Sequence, residues 1–212
     1  MKYNWNWGVL FETQYFDWIV SGTLWTIYLS LAASVLAFVL GSVLGICRTL
    51  DNKILRFIAT TYVEIFRNIP LLVQMFLWYF VFPEVVSKDF GTWLKQDMPN
   101  PEFTSAFFCL GTYTASRVAV QVRSGINSIS KGISQAGYAT GLSTTPLYLY
   151  VLLPLSYRII IPPMTSEFLT VFKNSSLALT IGLLELTARS NMVMDVTFQG
   201  FEAYTAATVS YV

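Results

Sequence analysis

The run WIVSGTLWTIYLSLAASVLAFVLGSVLGIC, residues 18–47, contains no aspartate, glutamate, lysine or arginine. As a helix it would measure on the order of 45 Å, against a hydrocarbon core of ~30 Å. A run this long and this apolar reads as a membrane span with length to spare for tilt. Its small residues Ala32, Ala33, Ser34, Gly41 and Gly45 suit close helix packing in lipid, where small side chains let backbones approach. Composition agrees: the 212 residues are 54% hydrophobic and 12% charged, and an ordinary soluble domain is roughly 25% charged. There is no histidine, and Cys47 and Cys109 stand singly inside apolar runs. That is neither a disulfide framework nor a metal-ligand spacing, so no metal site is expected and both thiols read as packing residues.

Upstream of this run, MKYNWNWGVLFETQYFDW lacks the basic start, apolar core and small-residue site of a cleavable signal peptide. Trp5, Trp7 and Trp18 read instead as an interfacial belt. Downstream, the apolar region from Ile54 to Phe82 is divided by Pro70, which predicts a partly interfacial piece at 55–68 and a deeper one at 69–82. A third span is expected at about 103–122. A fourth region, 155–186, would be on the order of 48 Å as one helix, so Pro162-Pro163 is expected to break or kink it. The last apolar stretch starts near Tyr204 and stops at Val212, and reads as an incomplete fifth span. Basic excess alternates along the loops 48–56, 84–102, 123–147 and 187–202, giving in, out, in, out by the positive-inside rule. The expectation is a single all-α membrane domain over 1–212, with five spans and its N-terminus outside.

The inner loop RSGINSISKGISQAGYATGLSTTPLYLYVLLP, within 123–154, is rich in Gly, Ala and Ser. Small residues at 136, 137, 139 and 141 would let a short helix lie tightly on another surface. Two readings stand: an amphipathic helix resting on the membrane face, or a docking helix for a cytoplasmic partner. There is no G-x-x-x-x-G-K-[ST] phosphate loop in the chain, so it does not hold ATP in that manner. No nucleophile, base or metal set suggests catalysis either, so no catalytic residue and no cofactor is assigned. Energy for any transport then comes from another subunit or from an ion gradient. Nothing suggests a nucleic-acid partner.

The loop is similar to the E-A-A-x3-G-x9-I-x-L-P pattern of permeases of ATP-binding cassette importers. Gln135, Ala136 and Gly137, then Gly141, then Val151 to Leu153 and Pro154 keep that spacing. Gln stands for Glu at 135, Gly for the second Ala at 137 and Val for Ile at 151. EIFRNIPLLVQ (64–74), QVRSGINSISKG (121–132) and PPMTSEFLTVFKNSSLALTIGL (162–183) resemble the polar amino-acid subfamily, nearest its glutamate/aspartate type. Val120 departs from that subfamily's usual glutamate. The resemblance implies a type I importer permease of the bacterial inner membrane. Its partners would be ATPase subunits inside, a second permease (itself or a homologue), an extracytoplasmic solute-binding protein, and the membrane lipids. It also implies that 135–154 carries the coupling helix.

In TVFKNSSLALTIG (170–182), Lys173 stands among apolar residues near the middle of the fourth region. A charge at depth belongs in the bundle interior or along a water-lined path. Ser175, Ser176 and Asn174 are placed to solvate it. One reading has Lys173 and Asn174 meeting a substrate carboxylate; the other has Lys173 snorkelling, or pairing with Glu167. Arg117 is read either as snorkelling to the inner headgroups or as a second carboxylate contact. Glu64 and Arg67 form either an interfacial ion pair or part of a hinge at 67–70. Gln74 is a candidate lining residue. Against the importer stand an ATP-independent secondary transporter or channel, an importer of other polar amino acids, and a membrane-embedded enzyme.

Overall fold

The computed structural model describes residues 3–211, and every regular element in them is helical. A 3-10 turn at Trp7–Phe11 leads into α1 (Thr13–Cys47). Then follow α2 (Lys53–Asn68), α3 (Leu71–Phe76), a π-helical turn Leu77–Val81, α4 (Phe82–Val85), α5 (Lys88–Thr92) and a second π-helical turn Trp93–Asp97. Next come α6 (Pro101–Ser128), α7 (Lys131–Ala139), α8 (Thr144–Leu147), a π-helical turn Tyr148–Leu152 and α9 (Leu153–Asn174). A 3-10 segment Ser175–Ile181, α10 (Leu186–Thr197) and α11 (Gly200–Tyr211) complete the order.

By length and apolar character, α1 and the helical segment Thr144–Ile181 are able to cross a membrane. The pair Lys53–Asn68 and Leu71–Val85 is a third candidate if it counts as one span, and it turns through 104° at the break. That bend falls at Ile69-Pro70, where the sequence places the division. α6 has the length, 28 residues, but carries Glu102, Arg117 and Arg123. It runs past both ends of the expected 103–122, so Arg123 belongs to a helix and the connecting segment begins only after Ser128. The segments 84–102 and 187–202 are likewise mostly helical rather than open loops.

The double proline does not break the fourth region. α9 runs through Pro162 and Pro163 to Asn174. At 22 residues it is on the order of 33 Å long, close to the thickness of a membrane core. The α-helix gives way at Ser175 instead, and Gly182 at φ 93° ends the following 3-10 segment. Helix breaks at proline in lipid are optional where the freed carbonyls, here those of Arg158 and Ile159, find other donors.

Contacts divide the chain into two units. One comprises 34–70 and 111–169. Its core is Val118, Val122 and Ile126 of α6 with Ile160 and Met164 of α9, flanked by Ile46, Tyr148, Leu153, Tyr157 and Phe168. α1 joins it through glycines four residues apart. A Cβ on Gly41 would lie 2.6 Å from Val118 Cβ, and one on Gly45 2.6 Å from Val122 Cβ. Only glycine permits that approach, the small-residue contact typical of helices in lipid. Val35, Val39 and Val43 stand exposed at the same four-residue interval, as a lipid-facing stripe would.

The other unit comprises residues up to Ala33, Leu71–Leu110 and the chain from Thr170 on. Gly22 lets α1 approach α10, with a Cβ there only 2.9 Å from Leu186 Cα. Cys109 is fully buried, its thiol 4.0 Å from the Leu71 carbonyl. Two glutamates have no exposed surface, Glu185 and Glu202. Glu202, in the first turn of α11, accepts from the Tyr3 hydroxyl and from the Asn6 amide at 2.8 Å. Tyr3 and Trp5 pack on Phe201, and Trp5 stacks on Trp7. The N-terminal aromatics are thus held by one buried carboxylate as well as by any lipid interface. Glu202→Leu is expected to free this segment. Acrylamide quenching of the tryptophans should then rise, with Glu202→Gln intermediate; quenching equal to the parent chain's would mean that ring packing alone holds it.

Candidate functional site

In the second-described unit, α3, which carries Gln74, packs against the 3-10 segment Ser175–Ile181, which Lys173 and Asn174 directly precede. Gln74 and Ser175 are buried, Asn174 is half-buried and Lys173 is exposed. Lys173 lies in the last turn of α9, not in the middle of a helix, because the helix ends at 174 instead of continuing toward 186. Its carbonyl accepts from the Ser176 hydroxyl at 2.8 Å, and the Phe172 carbonyl accepts from Ser175 at 2.7 Å. Both hydroxyl protons therefore close the end of α9. The ammonium has no acid within ion-pair distance among the described residues.

Glu167 is not its partner. In the other unit, Arg117 of α6 holds the Glu167 carboxylate of α9 with a two-pronged contact, Nε to Oε2 at 2.6 Å and Nη2 to Oε1 at 3.0 Å. The arginine is neither snorkelling alone nor presenting a bare guanidinium to a second carboxylate. A fork of this geometry is the strong form of the arginine–carboxylate bond, and it neutralises both charges. Glu64 and Arg67, both exposed on α2, make no ion pair, and the chain bends through 104° just after them.

The segment that the sequence marks for docking folds as a short helix with both ends closed. The Ser130 hydroxyl accepts from the Gly132 amide at 3.3 Å and caps the start of α7. At its end Leu142 N–H reaches the Gly137 carbonyl at 3.1 Å and Gly141 N–H reaches Tyr138 at 3.0 Å. This is the Schellman arrangement, with Gly141 at φ 86° in the left-handed position that glycine fills without strain. None of α7 is buried; Gln135, Ala136, Ile133 and Tyr138 are exposed. Gly137 makes room for Leu147, whose Cδ1 would lie 2.5 Å from a Cβ at 137 and which is itself buried.

From there the chain returns to the unit's core. In the π-helical turn the Leu153 amide bonds Tyr148 O, five residues back. Such a turn carries the helix into Pro154, which has no amide hydrogen to give. Leu153 packs against the core cluster, and the Tyr148 hydroxyl lies 3.1 Å from Thr49 Oγ1 just past α1. Gln135, Ala136, Gly137, Gly141, Leu153 and Pro154 thus form one route from an uncovered helix to packed core.

Sequence reasoning missed Glu185. It caps α10 by accepting from the Thr187 and Ala188 amides, both at 2.9 Å, and from the Tyr211 hydroxyl at 2.8 Å. Glutamate is not a favoured cap residue, so nothing local marks it.

The chain matches the family described as "Binding-protein-dependent transport system inner membrane component" over residues 18–212. It is 44% identical to the glutamate/aspartate import permease protein GltJ of Escherichia coli K12, covering 100% of this chain and 89% of that one. It is 31% identical to the probable glutamine ABC transporter permease protein GlnM of Bacillus subtilis, covering 97% and 89%. Among solved structures, an amino acid ABC transporter crystallised with histidines superposes with a TM-score of 0.80 at 25% identity, over 100% of this chain and 92% of that one. The MetNI methionine ABC transporter shares the fold, with a TM-score of 0.70 at 18% identity over 94% and 97%. An all-helical chain with long apolar helices, matched along nearly all its length, belongs to the family of inner-membrane components of binding-protein-dependent transport systems.

Proposed function

We propose that the chain is the permease subunit of an ATP-driven importer of acidic amino acids, with Lys173 receiving the substrate's carboxylate. One observation carries the substrate class: Lys173 is exposed without an acid partner, while the nearby acid of its own helix, Glu167, is taken by Arg117. An unmatched ammonium favours an anion. Asn174 and Ser175 follow Lys173 in the chain, Gln74 stands on the helix packed against the segment that begins at Ser175, and Arg117 acts through Glu167 rather than on substrate. The relative named for glutamate and aspartate import supports the same class. Relatives named for glutamine leave a neutral amide substrate as the second reading.

Family membership supports the following reading of the wider assembly. The permease domain has five spans with its N-terminus outside and pairs with itself or a homologue. ATP is bound and hydrolysed on separate ATPase subunits, and the chain holds no cofactor of its own. An extracytoplasmic binding protein delivers the substrate. As the ATPases close on ATP, α7 moves with them, and Leu153 passes that motion to the α6–α9 core.

Gly141→Val tests the coupling step. A Cβ at 141 would meet nothing within 4 Å, so the cost is conformational, roughly 1–2 kcal/mol for a left-handed residue with a side chain. The variant should reach the membrane normally yet recover about a tenth of the ATPase that the parent chain retains on affinity purification. Equal recovery and equal uptake would remove α7 from the coupling path.

A further inference from the structure

We propose that the apolar cavity bounded by the π-helical turn Leu77–Val81, the flap Lys88–Asp97 and the first turns of α6 holds one acyl chain of an anionic phospholipid, with its headgroup at Lys95. The cavity encloses about 460 Å³ and is walled by Trp78, Phe82, Phe90, Leu94, Met98 and Phe108. It lies wholly within one unit, and neither Lys173 nor Gln74 lines it. Most of its lining is apolar, so it offers an amino-acid zwitterion few partners. The Tyr79 hydroxyl that borders it is committed to Glu102, at 3.2 Å.

The flap is a fitted element. Gly91 is buried so close to Pro83 that a Cβ would meet its carbonyl oxygen at 2.1 Å. Phe90 stacks on Trp93 at 5.8 Å between ring centres. The rim is closed by Lys95, which pairs with Glu84. Lys95 lines the cavity and Glu84 does not, so the pair turns its cationic member toward an occupant. Glu84 is 72% exposed, and an ion pair this open exchanges readily for another anion.

Chemistry then selects the occupant. Trp78, Tyr79 and Trp93 are of the residue types that gather where headgroup meets hydrocarbon. A lysine there buries its stem and sets its ammonium among the headgroups. An apolar chamber below a cation at that level matches a molecule with an aliphatic tail and an anionic head, and such molecules are the solvent of this protein.

The assembled transporter, reconstituted with lipids brominated on the acyl chain, tests this by quenching of Trp78 fluorescence, isolated by difference from Trp78→Phe. Brominated phosphatidylglycerol should quench the Trp78 share at least twofold more than brominated phosphatidylcholine. Ser105→Phe, which fills the cavity from α6, should abolish that excess. Lys95→Gln, a change at a half-exposed side chain, should keep the quenching and lose the headgroup preference. No quenching of Trp78 by either lipid would overturn the proposal in favour of a protein segment, such as a second permease copy, in the cavity. Equal quenching by both lipids, or quenching that survives Ser105→Phe unchanged, would reduce it to ordinary contact with the bilayer.

Discussion

Replacing Lys173 with alanine is expected to lower uptake of an acidic amino acid by about tenfold to a hundredfold, and replacement with glutamate to abolish it. A hydrogen bond to a charged group contributes roughly 1.5–3 kcal/mol, and each 1.4 kcal/mol is about a factor of ten. Charge reversal adds repulsion of the substrate. The effect on the fold should be small: Lys173 is exposed in the last turn of α9 and pairs with no acid. A cation at a helix end is worth about 0.3–1 kcal/mol. Large loss of uptake with little loss of stability, with the binding protein still loading substrate, is the signature of a path residue. Lys173→Arg should recover part of the uptake. If Lys173→Ala transports normally, the ammonium serves only the helix end.

Glu185→Ala is expected to destabilise the chain by roughly 3 kcal/mol or more, among the larger effects available to one substitution. Glu185 is fully buried and ties together α10, the Tyr211 hydroxyl of α11 and, at 3.5 Å, Thr26 of α1. Removing it costs the cap, about 1 kcal/mol. It also takes the carboxylate from the Tyr211 hydroxyl, a loss of roughly 1–3 kcal/mol that Thr187 Oγ1, at 3.1 Å, offsets only in part. Glu185→Gln keeps an acceptor at the same place and should lose much less. Thermal unfolding of the detergent-solubilised protein measures both, with Tyr211→Phe as the partner variant. A midpoint for Glu185→Ala within about 1 °C of the parent chain would show that the cluster does not hold these helices.

The sequence made legible what depends on local pattern. The uncharged run 18–47 became α1, Pro70 marked the bend of 104°, and the spacing of Gly141 from 135–137 fell on a helix end closed by a left-handed glycine. Each is decided within a few residues. What stayed hidden depends on partners far along the chain. Glu167 lies six residues from Lys173 and 50 from Arg117, and it pairs with the distant one. Glu202 is fixed by Asn6, 196 residues away. The two prolines in α9 do not end the helix, because its course is set by packing along its whole length. Because the helix ends at Asn174, Lys173 lies in its last turn rather than in mid-span.

The most direct test is uptake of labelled glutamate into vesicles carrying the purified transporter, with its binding protein outside and ATP supplied to the ATPase face. An acidic amino-acid importer accumulates glutamate only with hydrolysable ATP, and the uptake is competed by aspartate and not by glutamine. Accumulation that proceeds without ATP, or glutamine competing as well as aspartate, would contradict it.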